Sequence, residues 1–194
     1  MRHQSMRRVV GGVTIAAVAA SAGAVFAAKA VEHLTAFAVD MSNTARQTRA
    51  GTIDIVINRW SSDQERDSLR AALREGGTDG LLKALQKIKE PAGYIRTPSS
   101  IGFPLRFARE MTTPNGGKRI IIGTDRYVSF LEASTQPRTV DYPFMLVDIR
   151  LGPDGKGTGK LMPIAKVTES EDHVVEIENY ASEPVRLTEV RELK

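Results

Sequence analysis

The chain has no cysteine and only three histidines in 194 residues. Without cysteine it forms no disulfide, carries no lipid on an N-terminal cysteine and offers no thiol nucleophile. His3 and His33 sit near the N-terminus, which leaves His173, beside Asp172, as the one histidine in the body of the sequence. It reads as an exposed turn residue, and a histidine-based metal cluster or a Ser-His-Asp triad lacks members. Gly-x-Ser-x-Gly, Ser-x-x-Lys and His-Glu-x-x-His are all missing. There is no internal repeat, no low-complexity segment and no interdomain linker. These absences leave no catalytic residue, metal site or cofactor to assign.

Long apolar runs are also missing, with one exception. Val9 to Ala28 is an almost unbroken apolar run dominated by Ala, Val and Gly, preceded by Arg2, Arg7 and Arg8 and followed by Ala28-Lys29-Ala30 and Ala36-Phe37-Ala38. A positive start, an apolar stretch and Ala-x-Ala sites are the pattern of a secretory signal peptide. We therefore expect residues 1–30 to be a signal peptide, with cleavage after 38 as the alternative, and 31–194 to be one exported domain. An uncleaved anchor is the rival reading, because the run approaches the ~20 residues a spanning helix needs. With the segment removed, no stable membrane span is expected. Removal also changes the charge: four of the 27 Lys+Arg lie in residues 1–30 and none of the 23 Asp+Glu does, so 23 bases face 23 acids in the remainder. The formal charge of +4 belongs to the leader and gives no ground for nucleic-acid binding. Export without cysteine fits a bacterial envelope, so a periplasmic or secreted location is expected.

The body of the sequence centres on Thr139 to Val167. Met145, Val147, Ile149 and Leu151 share one face of a strand; Phe144 and Leu146 lie on the other, which turns polar at Asp148 and Arg150. A strand apolar on both faces over half its length is central, with a layer covering each side there. The turn Gly152–Gly159 then returns the chain as a hairpin. Asp154-Gly155-Lys156-Gly157-Thr158-Gly159-Lys160-Leu161 superficially suggests a phosphate loop, but Asp154 replaces its first glycine and Leu161 its Ser/Thr, and it joins two strands.

Other elements follow from periodicity. Leu34 to Asn43 is a first strand or a lead-in. Thr52 to Trp60 alternates, with Ile53, Ile55 and Ile57 inward. Ser62 with Glu65 is a capping box opening a helix that stops at Gly76-Gly77, and Thr78 caps a second helix closed by Pro91. Together they predict an αα-hairpin. Tyr94–Thr97, Phe103–Met111, Arg119–Asp125, His173–Asn179 and Val185–Val190 are strands, the second with Phe103, Leu105, Phe107, Arg109 and Met111 on one face. Tyr127 to Gln136 is a short helical turn or irregular. The expected fold is α+β: an antiparallel, strongly bent or barrel-like sheet of about seven to nine strands with an N-terminal αα-hairpin packed on it, a sandwich being the alternative.

At Glu65-Arg66-Asp67, Gly93-Tyr94-Ile95-Arg96-Thr97-Pro98, Thr124-Asp125-Arg126, Asp141-Tyr142-Pro143-Phe144 and Glu178-Asn179-Tyr180 the sequence resembles a family of small exported bacterial proteins of unknown function. The resemblance covers nearly all of the chain after the leader. It implies export and a single domain, and carries no activity, ligand or catalytic residue.

The candidate site is polar. Asp125-Arg126, Glu132, Arg138 and Asp141-Tyr142 border one connection, and Arg96 precedes Pro98 elsewhere. Such groups can fix a long loop as a salt-bridge network, hold an anionic ligand in an Arg and Tyr fork, or supply two carboxylates for a glycosidic bond. The function expected from these features is non-catalytic binding of a small ligand or an envelope protein partner. The alternatives are a hydrolase using Asp125, Glu132 or Asp141 on an envelope polymer, or an assembly component of the envelope.

Overall fold

The computed structural model describes residues 30–41, 49–126, 141–180 and 183–193. The chain runs β1 (Glu32–Asp40), β2 (Arg49–Ile57), α1 (Asp63–Lys87), β3 (Gly93–Arg96), β4 (Phe103–Leu105), β5 (Phe107–Thr112), β6 (Lys118–Thr124), β7 (Phe144–Leu151), β8 (Lys156–Glu169), β9 (Val175–Asn179) and β10 (Val185–Glu192). Nine strands form one continuous antiparallel path, β4-β3-β2-β1-β10-β8-β7-β6-β5, and β9 pairs with the far end of β8. The two outer strands of that path, β4 and β5, are consecutive in sequence with only Arg106 between them. A sheet whose edges are joined by one residue has rolled into a nearly closed barrel. The seam is stitched by Arg106 N–H to Gly123 O (2.9 Å) and by the Thr124 hydroxyl donating to Pro104 O (2.9 Å). Further along, Ser61 N–H donates to Ala108 O (2.7 Å) and the Ser61 hydroxyl accepts from Ala108 N–H (3.2 Å), so the chain after β2 covers the edge of β5.

The barrel interior is a packed core. It contains Leu34, Ile53, Ile55, Ile57, Ile95, Leu105, Ile120, Ile122, Val147, Ile149, Leu161 and Leu187 among others. Outside, a second cluster joins α1 to the barrel wall through Leu69, Leu73, Leu81 and Leu85 against Phe144, Ala165 and Val167. β7 thus has the double-sided pattern its sequence predicts: Met145, Val147, Ile149 and Leu151 point in, and Phe144 and Leu146 lie under the helix. Asp148 and Arg150 fall beyond the helix; Arg119 grips Asp148 through two hydrogen bonds (3.0 and 2.8 Å).

Two expectations are corrected. In place of an αα-hairpin there is one helical element, α1, bent at Gly77 (φ 58°, ψ −151°). The capping box forms as expected, Glu65 N–H to the Ser62 hydroxyl (3.1 Å) and Ser62 N–H to the Glu65 carboxylate (2.9 Å). The glycine pair, however, introduces one non-helical residue rather than a turn between two helices. Gly77 adopts a conformation that side-chain-bearing residues avoid. Thr78, expected as a cap, instead donates its hydroxyl to Val167 O (3.0 Å), tying the bend to the edge of β8. The second correction concerns Phe103–Met111. It is split at Arg106, so Leu105 and Ala108 both point inward while Phe107 packs under the helix. The corner that closes the barrel exchanges the faces. The expected element at Tyr127–Gln136 lies outside the described residues. Among the described residues, no helix is long and apolar enough to cross a membrane.

Candidate functional site

The inward-facing series of each strand ends differently at the two ends of the barrel. At one end it becomes charged. Glu32 lies two residues before Leu34, Lys118 two before Ile120, Glu110 two after Ala108 and Glu192 two after Val190, so all four continue inward series. Lys118 Nζ bonds Glu192 (2.7 Å) and Glu32 (3.2 Å) and approaches Glu110 (3.5 Å), forming a plug across the core. The hydrogen bond to Glu192 holds the Lys118 ammonium above the ordinary lysine range against the opposing effect of burial, and the Glu32 contact raises it further. Glu32 behaves differently. Burial pushes its carboxyl above the usual range, with Lys118 only partly offsetting this. The folded protein therefore binds that proton more tightly than the unfolded chain does. The ionised Glu32 weakens the fold at neutral pH, and the penalty fades as pH falls through its folded pKa. Glu32→Gln is accordingly expected to melt at or above the wild-type temperature near neutral pH, with the difference vanishing by about pH 4. Thermal melts across that interval check it; a variant less stable at pH 7 than at pH 4, relative to wild type, would contradict it.

At the other end β1, β3 and β6 finish and β2, β4 and β7 begin. Here the inward series shrinks: Ala36 and Ala38 on β1 and Gly51 on β2 replace the large residues of the middle layer. The space they leave is a cavity of about 350 Å³ lined by Ala38, Gly51, Thr52, Thr97, Ser99 and Val185, with Asp40 and Arg49 facing one another across the β1–β2 pair. Its walls mix small apolar groups with hydroxyls and one pair of opposite charges.

The candidate residues from the sequence are held in separate local arrangements. Arg96, at the end of β3, lies over the Tyr94 ring (5.6 Å to its centroid) and pairs with Asp54 (3.4 Å), adjoining Thr97 of the cavity. Asp125 is half-buried and pairs with Arg106 Nε (3.3 Å), while also accepting from the Thr124 hydroxyl (3.2 Å). Arg126 and Asp141 are exposed. Tyr142 donates its hydroxyl to the Glu178 carboxylate and stacks edge-on with Tyr180 (centroids 5.3 Å, 76°). The bond to Glu178 is the main reason its phenol sits above the ordinary range. Glu132 and Arg138 lie outside the described residues. The partners Asp54, Arg106, Glu178 and Tyr180 thus all come from outside the group that sequence reasoning assembled. Arg106 gave no signal, since its role depends on a corner visible only in the fold. The cavity residues gave none either, being small and chemically plain.

The Gly-rich segment Asp154–Leu161 forms the β7–β8 turn and the start of β8, closed by Gly152 N–H to Lys156 O (2.8 Å). It is a hairpin end with no helix behind it. Among the described residues, no three His, Asp or Glu side chains are grouped to hold a metal ion. No family model matches the chain, and no curated protein or solved structure matches it either.

Proposed function

We propose that this chain is an exported bacterial envelope protein, akin to the small exported proteins its motifs resemble, that binds a small molecule at the mouth of its barrel without transforming it. The observation that carries this reading is the cavity of about 350 Å³ opposite the Lys118 plug. It falls within the ~300–1,000 Å³ of small-molecule sites, and a few polar groups among apolar walls are what orient such ligands. The ligand this lining suits is compact, with an apolar body that meets Ala38 and Val185 and polar groups that meet Thr52, Thr97 and Ser99. A hydrolase would need a pair of carboxylates free to act on substrate. Asp125 is instead committed to Arg106 and Thr124, which favours binding. Export is supported by the leader pattern, and cleavage after Ala30 is favoured because β1 begins at Glu32 and pairs on both sides. Cleavage after Ala38 would remove most of that strand.

The test is native mass spectrometry of the protein purified from its own envelope. The expected result is a chain beginning near Val31 that carries a small bound mass, with the mass lost in Ser99→Trp, where an exposed loop residue is enlarged across the mouth. A chain with no bound mass, in protein that also fails to take up small molecules from envelope extracts, would overturn the reading.

A further inference from the structure

A second recess lies on the outside of the barrel, away from the mouth. β8 and β9 run on beyond β7 as a two-stranded ribbon, and α1 lies across the wall beside it. Between them is a groove of about 180 Å³, walled by Leu69, Leu73 and Leu85 of the helix, Phe107 and Leu146 of the barrel, and Val175 and Ile177 of the ribbon. Val175 and Ile177 remain 41% and 50% exposed, apolar surface with no layer above it among the described residues. Arg66 and Arg70 edge the groove, and Arg74 continues their row at helical i, i+4 spacing.

The three arginines are not equivalent. Arg66 is neutralised by Asp67 (2.7 Å) and Asp63 (3.3 Å), and Arg74 meets Glu169 (3.5 Å). Arg70 is exposed and has no carboxylate partner among the described residues. The groove walls offer no polar group to anything lying inside. A peptide would bury backbone amides there without partners, at a penalty that an apolar chain does not incur. A hydrocarbon with one anionic end satisfies both features, since the chain removes Val175 and Ile177 from water and the head meets Arg70, which lacks a counter-charge among the described residues.

We infer that this groove takes up the hydrocarbon chain of a free fatty-acid-like anion, with Arg70 holding the carboxylate. The site is independent of the mouth cavity, and its test separates the two. Dodecanoate, kept below its micellar concentration, is titrated calorimetrically into the purified protein. One molecule is expected to bind per chain. Arg70→Gln should weaken dodecanoate about tenfold, the value of one charge-assisted hydrogen bond, while leaving uncharged dodecanol unchanged. Val175→Trp, which fills the groove from an exposed strand position, should abolish both, and Ser99→Trp at the mouth should alter neither. Thermal melts establish that each variant is folded, and Arg70 is an exposed helix residue whose replacement leaves the core intact. Absence of dodecanoate binding, binding that survives Val175→Trp, or equal binding of dodecyltrimethylammonium would overturn the proposal. Capture only by anionic vesicles, with no uptake of the monomer, would overturn it in favour of a membrane surface. Dimerisation through the ribbon, abolished by the same Val175→Trp and unaffected by dodecanoate, would do so in favour of a second copy.

Discussion

Asp125→Ala is expected to destabilise the protein by roughly 3 kcal/mol, although Asp125 sits at the end of a strand beside a long connection. Its carboxylate is only 8% exposed and Arg106, its partner, 19% exposed. Arg106 occupies the single residue between the two outer strands of the sheet, where its guanidinium also donates to Ile88 O (3.0 Å). Among the described residues its Nε has no hydrogen-bond partner and meets the Asp125 carboxylate as an ion pair at 3.3 Å. Removing Asp125 would strand a mostly buried cation at the seam of the barrel, and the loss falls at the lower end of the ~3–5 kcal/mol for such pairs because part of the guanidinium still meets water. Replacing both partners, Arg106→Met with Asp125→Leu, should recover most of the stability, since it removes the desolvated charges together. Denaturant unfolding of the two single variants and the double variant measures this. A loss under about 1 kcal/mol for Asp125→Ala would place the pair with ordinary surface ion pairs. The same variants separate structure from binding: Asp125 as a seam residue leaves the mass bound at the mouth unchanged once melting is accounted for.

That result bears on why the sequence could indicate the fold better than the site. The strand pattern of β7 was readable because burial on both faces leaves a periodic trace, with Phe144 and Leu146 against Met145, Val147, Ile149 and Leu151. The capping box at Ser62 and Glu65 was readable because it is local. The bend at Gly77 was not, because a glycine pair permits a stop, a turn or a kink, and contact with Val167, 89 residues away through Thr78, selects the kink. The corner at Arg106 was hidden for the same reason, since an uninterrupted period of two runs from Phe103 to Met111 and only barrel closure breaks it. Asp125, Arg126, Glu132, Arg138, Asp141 and Tyr142 are neighbours in sequence around one connection. The partners of Asp125 and Tyr142 come from elsewhere, Arg106 at the corner between β4 and β5 and Glu178 on β9. Lys118 and its three glutamates leave no joint trace in the sequence because they are separated by as many as 160 residues (Glu32 to Glu192), and each alone reads as a solvated strand end.

Phe144→Ala is expected to have the largest effect of any single side-chain truncation, roughly 3–5 kcal/mol, or a fall of roughly 10 °C in melting temperature. Phe144 is the bulkiest fully buried side chain among the described residues, 1% exposed, and lies in the layer between barrel and helix rather than inside the barrel. The helix depends on that layer. Gly76, Gly77 and Gly80 lower its intrinsic helicity, and a bend interrupts its hydrogen bonding, so packing rather than propensity keeps it folded. Among the described residues its polar attachments to the sheet include Thr78 to Val167, the exposed Asp63–Arg109 pair and the partly exposed Arg74–Glu169 pair. The barrel core is a separate cluster that does not include Phe144. Truncation should therefore loosen α1 first. In native-state hydrogen exchange, amides of α1 are expected to lose protection while those of β6 and β10 retain theirs. Phe144→Leu, which keeps most of the volume, should cost about 1 kcal/mol and leave the helix protected. Loss of protection in α1 and β6 together would mean that helix and barrel open as one unit. In that case the outer layer would be a structural part of the core rather than a flap hinged at Gly77, and the groove between them could not widen without unfolding the sheet.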